Sequence, residues 1–135
     1  MAGPAGDPAT GPRVLITGGA GFVGRAILER LLARGRAVRA LARSDASAAV
    51  LAGAGAEVVR GDLADPASLR AAMEGCGVVY HVAGLNGFCL PDPSELTRLN
   101  VDGTRDVVRA AAAAGVRRVV YTSSAATIGE EAGAV

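Results

Sequence analysis

The sequence predicts an α/β fold: one parallel sheet sandwiched between two layers of helices, with strand order 3-2-1-4-5 and an incomplete C-terminal side. Three observations carry this. Short Val/Ile/Leu runs alternate with helical stretches at the spacing of βαβ units. Half of the 135 residues are hydrophobic but only 3% are aromatic, with no Trp, so the core is aliphatic, as suits strands buried on both faces. A glycine-rich loop directly follows the first apolar run, where a strand should turn into a helix.

Residues 1–12, "MAGPAGDPATGP", read as a disordered lead-in, with the folded domain at 13–135. Arg13 to Thr17 is the first strand. Phe22 to Arg34 is a helix, since Ile27, Leu28, Leu31 and Leu32 share a face and Gly35 supplies the stop. Val38 to Ala42 is the second strand, and Asp45 to Ala52 a short helix with Ser44 as N-cap. Glu57 to Arg60 is the third strand. Asp65 caps a helix that opens on Pro66 and runs to about Glu74. Gly77 to Val82 is the fourth strand. After the loop "GLNGFCLPDP", Ser94 caps one long helix to Ala114, ended by Gly115, and Arg117 to Thr122 is the fifth strand. The tail "SSAATIGEEAGAV" reads as loop.

Composition narrows the function. Net charge is +1 with no basic stripe, which gives no support to nucleic-acid binding. No apolar run approaches the roughly 18 residues of a membrane span, and the N-terminus lacks a secretory pattern, so a cytoplasmic protein is expected. Cys76 and Cys89 form no CxxC pair and no zinc spacing; free, inert thiols and no metal site are expected. All 14 cationic residues are Arg; there is no Lys.

The loop "TGGAGFVG" (17–24) carries the chemistry. Glycines let backbone N–H groups approach a ligand, and the following helix N-terminus offers unpaired donors to a diphosphate. A tight turn needing glycine for packing alone is the plainer alternative. The spacing Gly18-x-x-Gly21-x-x-Gly24 resembles that of the extended short-chain dehydrogenase/reductase family, the NAD(P)-dependent epimerases, dehydratases and their relatives. "GDL" (61–63), "HVAG" (81–84), "NVDGT" (100–104) and "VVYTSSAATIG" (119–129) resemble that family in the same order.

The resemblance implies a Rossmann-like domain and a set of roles. Gly18, Gly21, Gly24 and the amides of Phe22 and Val23 would surround a pyrophosphate. Asp62 and Leu63 would sit at the adenine, and Ala83 and Gly84 along the cofactor. Asn100 would lie near the nicotinamide side, Thr122 and Ser123 near its ribose. Ser124 would bond the reacting substrate oxygen. Plainer readings stand beside these: Asp62 as a cap, Asn100 as a mid-helix polar residue, Ser124 as a loop serine. His81 is read as structural rather than catalytic.

The residue matching the family's acidic ribose ligand is Ala42, followed by Arg43 and Ser44. A small residue followed by a bidentate cation favours NADP(H) over NAD(H). Asp45 is the complication, being close enough to serve the ribose if the loop bends.

The resemblance further implies a Tyr-x-x-x-Lys pair. Tyr80 and Tyr121 are followed four residues on by Gly84 and Ala125, so the pair is absent. The expectation is the cofactor-binding portion of an oxidoreductase or epimerase acting on a sugar nucleotide or other small alcohol or ketone, with little turnover alone, marginal stability and an uncovered fifth strand. "ATIG" in place of a "VYG" ending, together with Arg43, leans toward the branch resembling dihydroflavonol reductases and hydroxysteroid dehydrogenases. Family context implies a homodimer. The competing function is a non-catalytic NAD(P)(H)-binding sensor or regulatory module.

Overall fold

A computed structural model describes residues 11–87, 91–124 and 127. Five parallel strands form one sheet in the order β3-β2-β1-β4-β5. They are β1 (Arg13–Thr17), β2 (Val38–Ala42), β3 (Glu57–Arg60), β4 (Cys76–His81) and β5 (Arg118–Tyr121). The helices are α1 (Phe22–Ala33), α2 (Asp45–Gly53), α3 (Pro66–Met73), α4 (Ser94–Leu96) and α5 (Gly103–Ala113), with a π-helical stretch at Thr97–Asp102.

Alternation along the strands feeds two cores, because successive side chains point to opposite faces. Ile16, Ala40 and Ala42 pack with Leu28 of α1 and Leu51 of α2. Leu15, Leu41 and Val79 pack with Leu69 and Met73 of α3 and Val107 and Ala111 of α5. One charged side chain enters the second layer. Arg39 donates to the carbonyls of Ala72 and Glu74 at 2.8 and 3.0 Å and to Glu57 at 2.9 Å. Its guanidinium thus satisfies last-turn carbonyls of α3 that the helix itself leaves unpaired.

The chain steps outward from β1 to β2 to β3, then returns to pair β4 with the other side of β1. This reversal opens a crevice at the carboxyl ends of β1 and β4, where ligands of open α/β sheets bind.

The N-caps at Ser44 and Asp65 form as expected; Ser44 and Ser47 bond reciprocally. Two expectations need correction. Ser94 is not the cap of its helix, because the Asp92 carboxylate takes both its N–H (3.0 Å) and its hydroxyl (2.7 Å), drawing Ser94 into the first turn. The single helix expected over 94–114 is α4, the π stretch and α5 in succession. The wider π turn keeps Leu99, Asn100 and Gly103 on the sheet side together. Among the described residues β5 is an edge strand, as β3 is at the other side, and Val120 and Tyr121 are 37% and 50% exposed. Residues 1–10, Cys89 and residues 128–135 lie outside the described residues.

Candidate cofactor cleft

Thr17 ends β1 fully buried, and Gly18 then turns with φ +71°, a conformation that favours glycine. A Cβ on Gly18 would stand 2.5 Å from the Ala83 nitrogen, so the loop lies backbone to backbone against the exit of β4. A Cβ on Gly24 would overlap the Gly18 carbonyl oxygen. The loop closes through Gly21 N–H to the Gly18 carbonyl at 3.1 Å, and α1 starts with Arg25 N–H to the Gly21 carbonyl at 2.8 Å. α1 has neither a side-chain cap bond nor an acidic residue in its first turn. Its leading N–H groups and the positive end of its dipole are left for an anion.

The loop borders a cleft of about 540 Å³. Gly18, Gly21, Phe22, Val23 and Gly24 meet Arg43 from the end of β2, Asp62 and Leu63 from the end of β3, and Ala83 and Gly84 from the end of β4. Thr17 of the glycine-loop motif and the cap Ser44 also line it, together with Ser47, Leu85 and Leu99, which were not singled out. The pair Ser44-x-x-Ser47 could have signalled its part, since it is a capping box directly after Arg43. Among the described residues Arg43 has no carboxylate partner, whereas Asp45 is paired with Arg60 at 2.9 Å. Asp62 accepts from Ala64 N–H at 2.9 Å, the local turn bond of its plainer reading, while still lining the cleft.

Four candidates do not line the cleft. Asn100 reaches it through Leu85, accepting from its N–H at 2.8 Å and donating to its carbonyl at 2.9 Å. Thr122 extends the β4–β5 pairing through its N–H to the His81 carbonyl at 3.0 Å. Ser123 and Ser124 are exposed, and the Ser124 carbonyl accepts from the Thr127 hydroxyl at 2.7 Å. These residues follow β5, one strand farther from β1 than the crevice.

Sequence reasoning missed a network behind the loop. His81 is fully buried, with Nδ1 2.7 Å from the Thr17 hydroxyl and Nε2 2.9 Å from the Thr104 hydroxyl. The Ala83 N–H donates to the Thr17 hydroxyl oxygen at 3.3 Å, and the Tyr121 ring stacks on the imidazole at 5.5 Å. Burial lowers the His81 pKa to about 4, so the ring is neutral at pH 7. Cys76 lies at the opposite end of β4. Burial pushes its thiol up, against the pull of Arg39 and Arg13, which keeps it protonated at neutral pH.

A glycine loop feeding an uncapped helix at the reversal of a parallel sheet defines a nucleotide-binding α/β domain. Residues 14–134 match the model of the NAD dependent epimerase/dehydratase family, and the chain belongs to that family. It is 44% identical over 115 residues to sterol demethylase protein B of Methylococcus capsulatus, covering 85% of this chain and 35% of that protein. It is 42% identical over 114 residues to a putative dihydroflavonol 4-reductase of Synechocystis, covering 84% of this chain and 33% of that protein. A short-chain dehydrogenase/reductase superfamily protein of Agrobacterium tumefaciens, solved with bound NAD, superposes with TM-score 0.72 at 38% identity, over 83% of this chain and 32% of that one. The chain spans about a third of the length of the curated relatives it matches. The resemblance to this family, including its dihydroflavonol reductases, and the strand order expected from sequence are therefore both found. Among the described residues no helix is long and apolar enough to cross a membrane.

Proposed function

We propose that this chain binds NADP(H) in the cleft and forms the cofactor portion of a reductase acting on a carbonyl or hydroxyl group of a small molecule. The observation that carries the reading is the uncapped N-terminus of α1, aimed into a crevice at the reversal of strand order. Its N–H groups, exposed by Gly18, Gly21 and Gly24, hold the pyrophosphate. Asp62 and Leu63 hold the adenine. Ala83 and Gly84 border the nicotinamide half, with Asn100 ordering the neighbouring Leu85 backbone. Thr122, Ser123 and Ser124 follow β5 outside the lining of the cleft, and their assignment to the nicotinamide ribose and the substrate oxygen rests on the family resemblance. When bound, the cofactor supplies or accepts hydride. The 135 residues contain no Lys and so no Tyr-x-x-x-Lys pair; the work assigned to them is binding and orientation.

The preference for NADP(H) rests on Arg43. It lines the cleft without a carboxylate partner among the described residues, beside Ser44 and Ser47, while Asp45 is engaged by Arg60. A bidentate guanidinium suits a 2′-phosphate. Fluorescence titration should show tighter binding of NADPH than NADH. Arg43→Ala should weaken NADPH binding about tenfold, the effect of losing one charge-assisted contact, and leave NADH unchanged. Tighter binding of NADH by the unsubstituted chain would overturn the preference. Failure to bind either nucleotide would overturn the function.

A further inference from the structure

We propose that His81 is a positioning residue for the cleft: held between Thr104 and Thr17, it sets the spacing between the glycine loop and the exit of β4. The inference rests on the nucleotide-binding reading above, and it concerns how the two walls of that cleft are kept in place.

The hydrogen bonds have one consistent direction. The Thr17 hydroxyl oxygen accepts from the Ala83 N–H. Thr17 is fully buried, and its own hydroxyl proton meets one acceptor among the described residues, His81 Nδ1. Thr17 therefore donates to Nδ1, which leaves the ring proton on Nε2 to be donated to the Thr104 hydroxyl oxygen. The chain runs from Ala83 N–H through Thr17 and the imidazole to Thr104. Bonds aligned in this way reinforce one another, and each buried group that lost its partner would carry a desolvation cost.

The placement gives the chain its consequence. Thr17 directly precedes Gly18, which passes so near the exit of β4 that a Cβ on it would stand 2.5 Å from the Ala83 nitrogen. The imidazole thus stands behind the point where the loop and β4 touch. Thr104 follows Asn100 by four residues on the same helical run, and Asn100 clasps Leu85. The helical run consequently holds both walls: the exit of β4 directly at Leu85, and the end of β1 through His81 at Thr17. A residue that merely filled space would need no hydroxyl on α5. The geometry instead makes the shape of the cleft depend on the Thr104 oxygen.

The test pairs Thr104→Val, which keeps the volume and removes the hydroxyl, with Thr104→Ser, which keeps the hydroxyl. His81 is the only His in the chain, so its ring nitrogens can be read singly by ¹⁵N NMR. The unsubstituted protein at pH 7 should show the neutral Nε2–H tautomer without cofactor, and its ring signals should shift on adding NADPH. T104V should bind NADPH about tenfold more weakly with altered ring nitrogens, while T104S should stay within about twofold of the parent. A folded T104V with parental affinity would overturn the inference. If T104V does not fold, an Nδ1–H tautomer in the parent, or ring signals unmoved by saturating NADPH, would overturn it. No NADPH binding by the parent counts against the nucleotide site itself, and is told apart because the tautomer is read without cofactor.

Discussion

Gly24→Ala is expected to weaken dinucleotide binding by at least about a hundredfold and to lower the melting temperature. The added Cβ would overlap the Gly18 carbonyl oxygen and lie 2.7 Å from the Gly18 carbonyl carbon. Both are backbone atoms, so no side-chain rotation relieves the clash. Gly18 has little room to retreat, since it runs close enough to β4 that even a Cβ on it would stand 2.5 Å from the Ala83 nitrogen. The loop must move as a unit and carry the α1 N–H groups with it. Overpacking of this kind costs about 1–3 kcal/mol of stability. Each charge-assisted bond to a phosphate is worth about 1.5–3 kcal/mol, and about 1.4 kcal/mol is a factor of ten, so losing two such bonds accounts for the hundredfold. Gly53→Ala is the control, since a Cβ there meets nothing within 4 Å at the end of α2. Calorimetric titration with NADPH and a thermal melt of both variants decide it. Near-parental affinity in Gly24→Ala would refute a close-packed phosphate loop.

What could be read in the sequence was what depends on neighbours in the chain. Strand alternation, the caps at Ser44 and Asp65 and the glycine loop are local patterns, and they led to the right sheet order. The cleft was legible for a related reason: in a parallel α/β sheet every strand ends on the same side, so a motif after each strand end converges with the others. What escaped depends on pairs that no periodicity connects. Thr17 and His81 are 64 positions apart, and His81 and Thr104 are 23 apart. Arg39 looks like a mispatterned cation inside an apolar strand until α3 brings its last carbonyls over it. The π turn was hidden because residues 94–114 have an ordinary helical composition; the two hydrogen bonds between the Asn100 side chain and the Leu85 backbone mark the place.

Lowering the pH from about 6.5 to about 4 is expected to remove about 3 kcal/mol of folding stability through His81 alone, at about 1.36 kcal/mol per pH unit of displacement. The folded-state value is depressed from 6.5 to about 4 by burial, with no charged neighbour contributing. Inside that window the unfolded chain binds the proton and the native chain does not. Stability therefore falls as pH falls, is fully present above about 6.5, and has lost this contribution below about 4. Asp92 is also depressed, by its bonds to Ser94, but its effect comes below the ordinary carboxylate range. Among the described residues the interval from 6.5 to 4.5 is consequently dominated by the single His. For marginally stable domains of about 5–15 kcal/mol, such a loss is a large fraction of the whole. Urea midpoints at pH 7.5, 5.5 and 4.5 should fall in that order, and the slope should flatten in His81→Gln. Equal midpoints across the three would contradict a buried neutral imidazole. The hydrogen bonds point the same way: a proton on Nδ1 would make the Thr17 hydroxyl oxygen the acceptor and leave the buried Thr17 hydroxyl proton without its imidazole acceptor. The hydroxyl would have to rotate, which loosens the link between the loop and the exit of β4. Acid should accordingly weaken NADPH binding before it unfolds the chain.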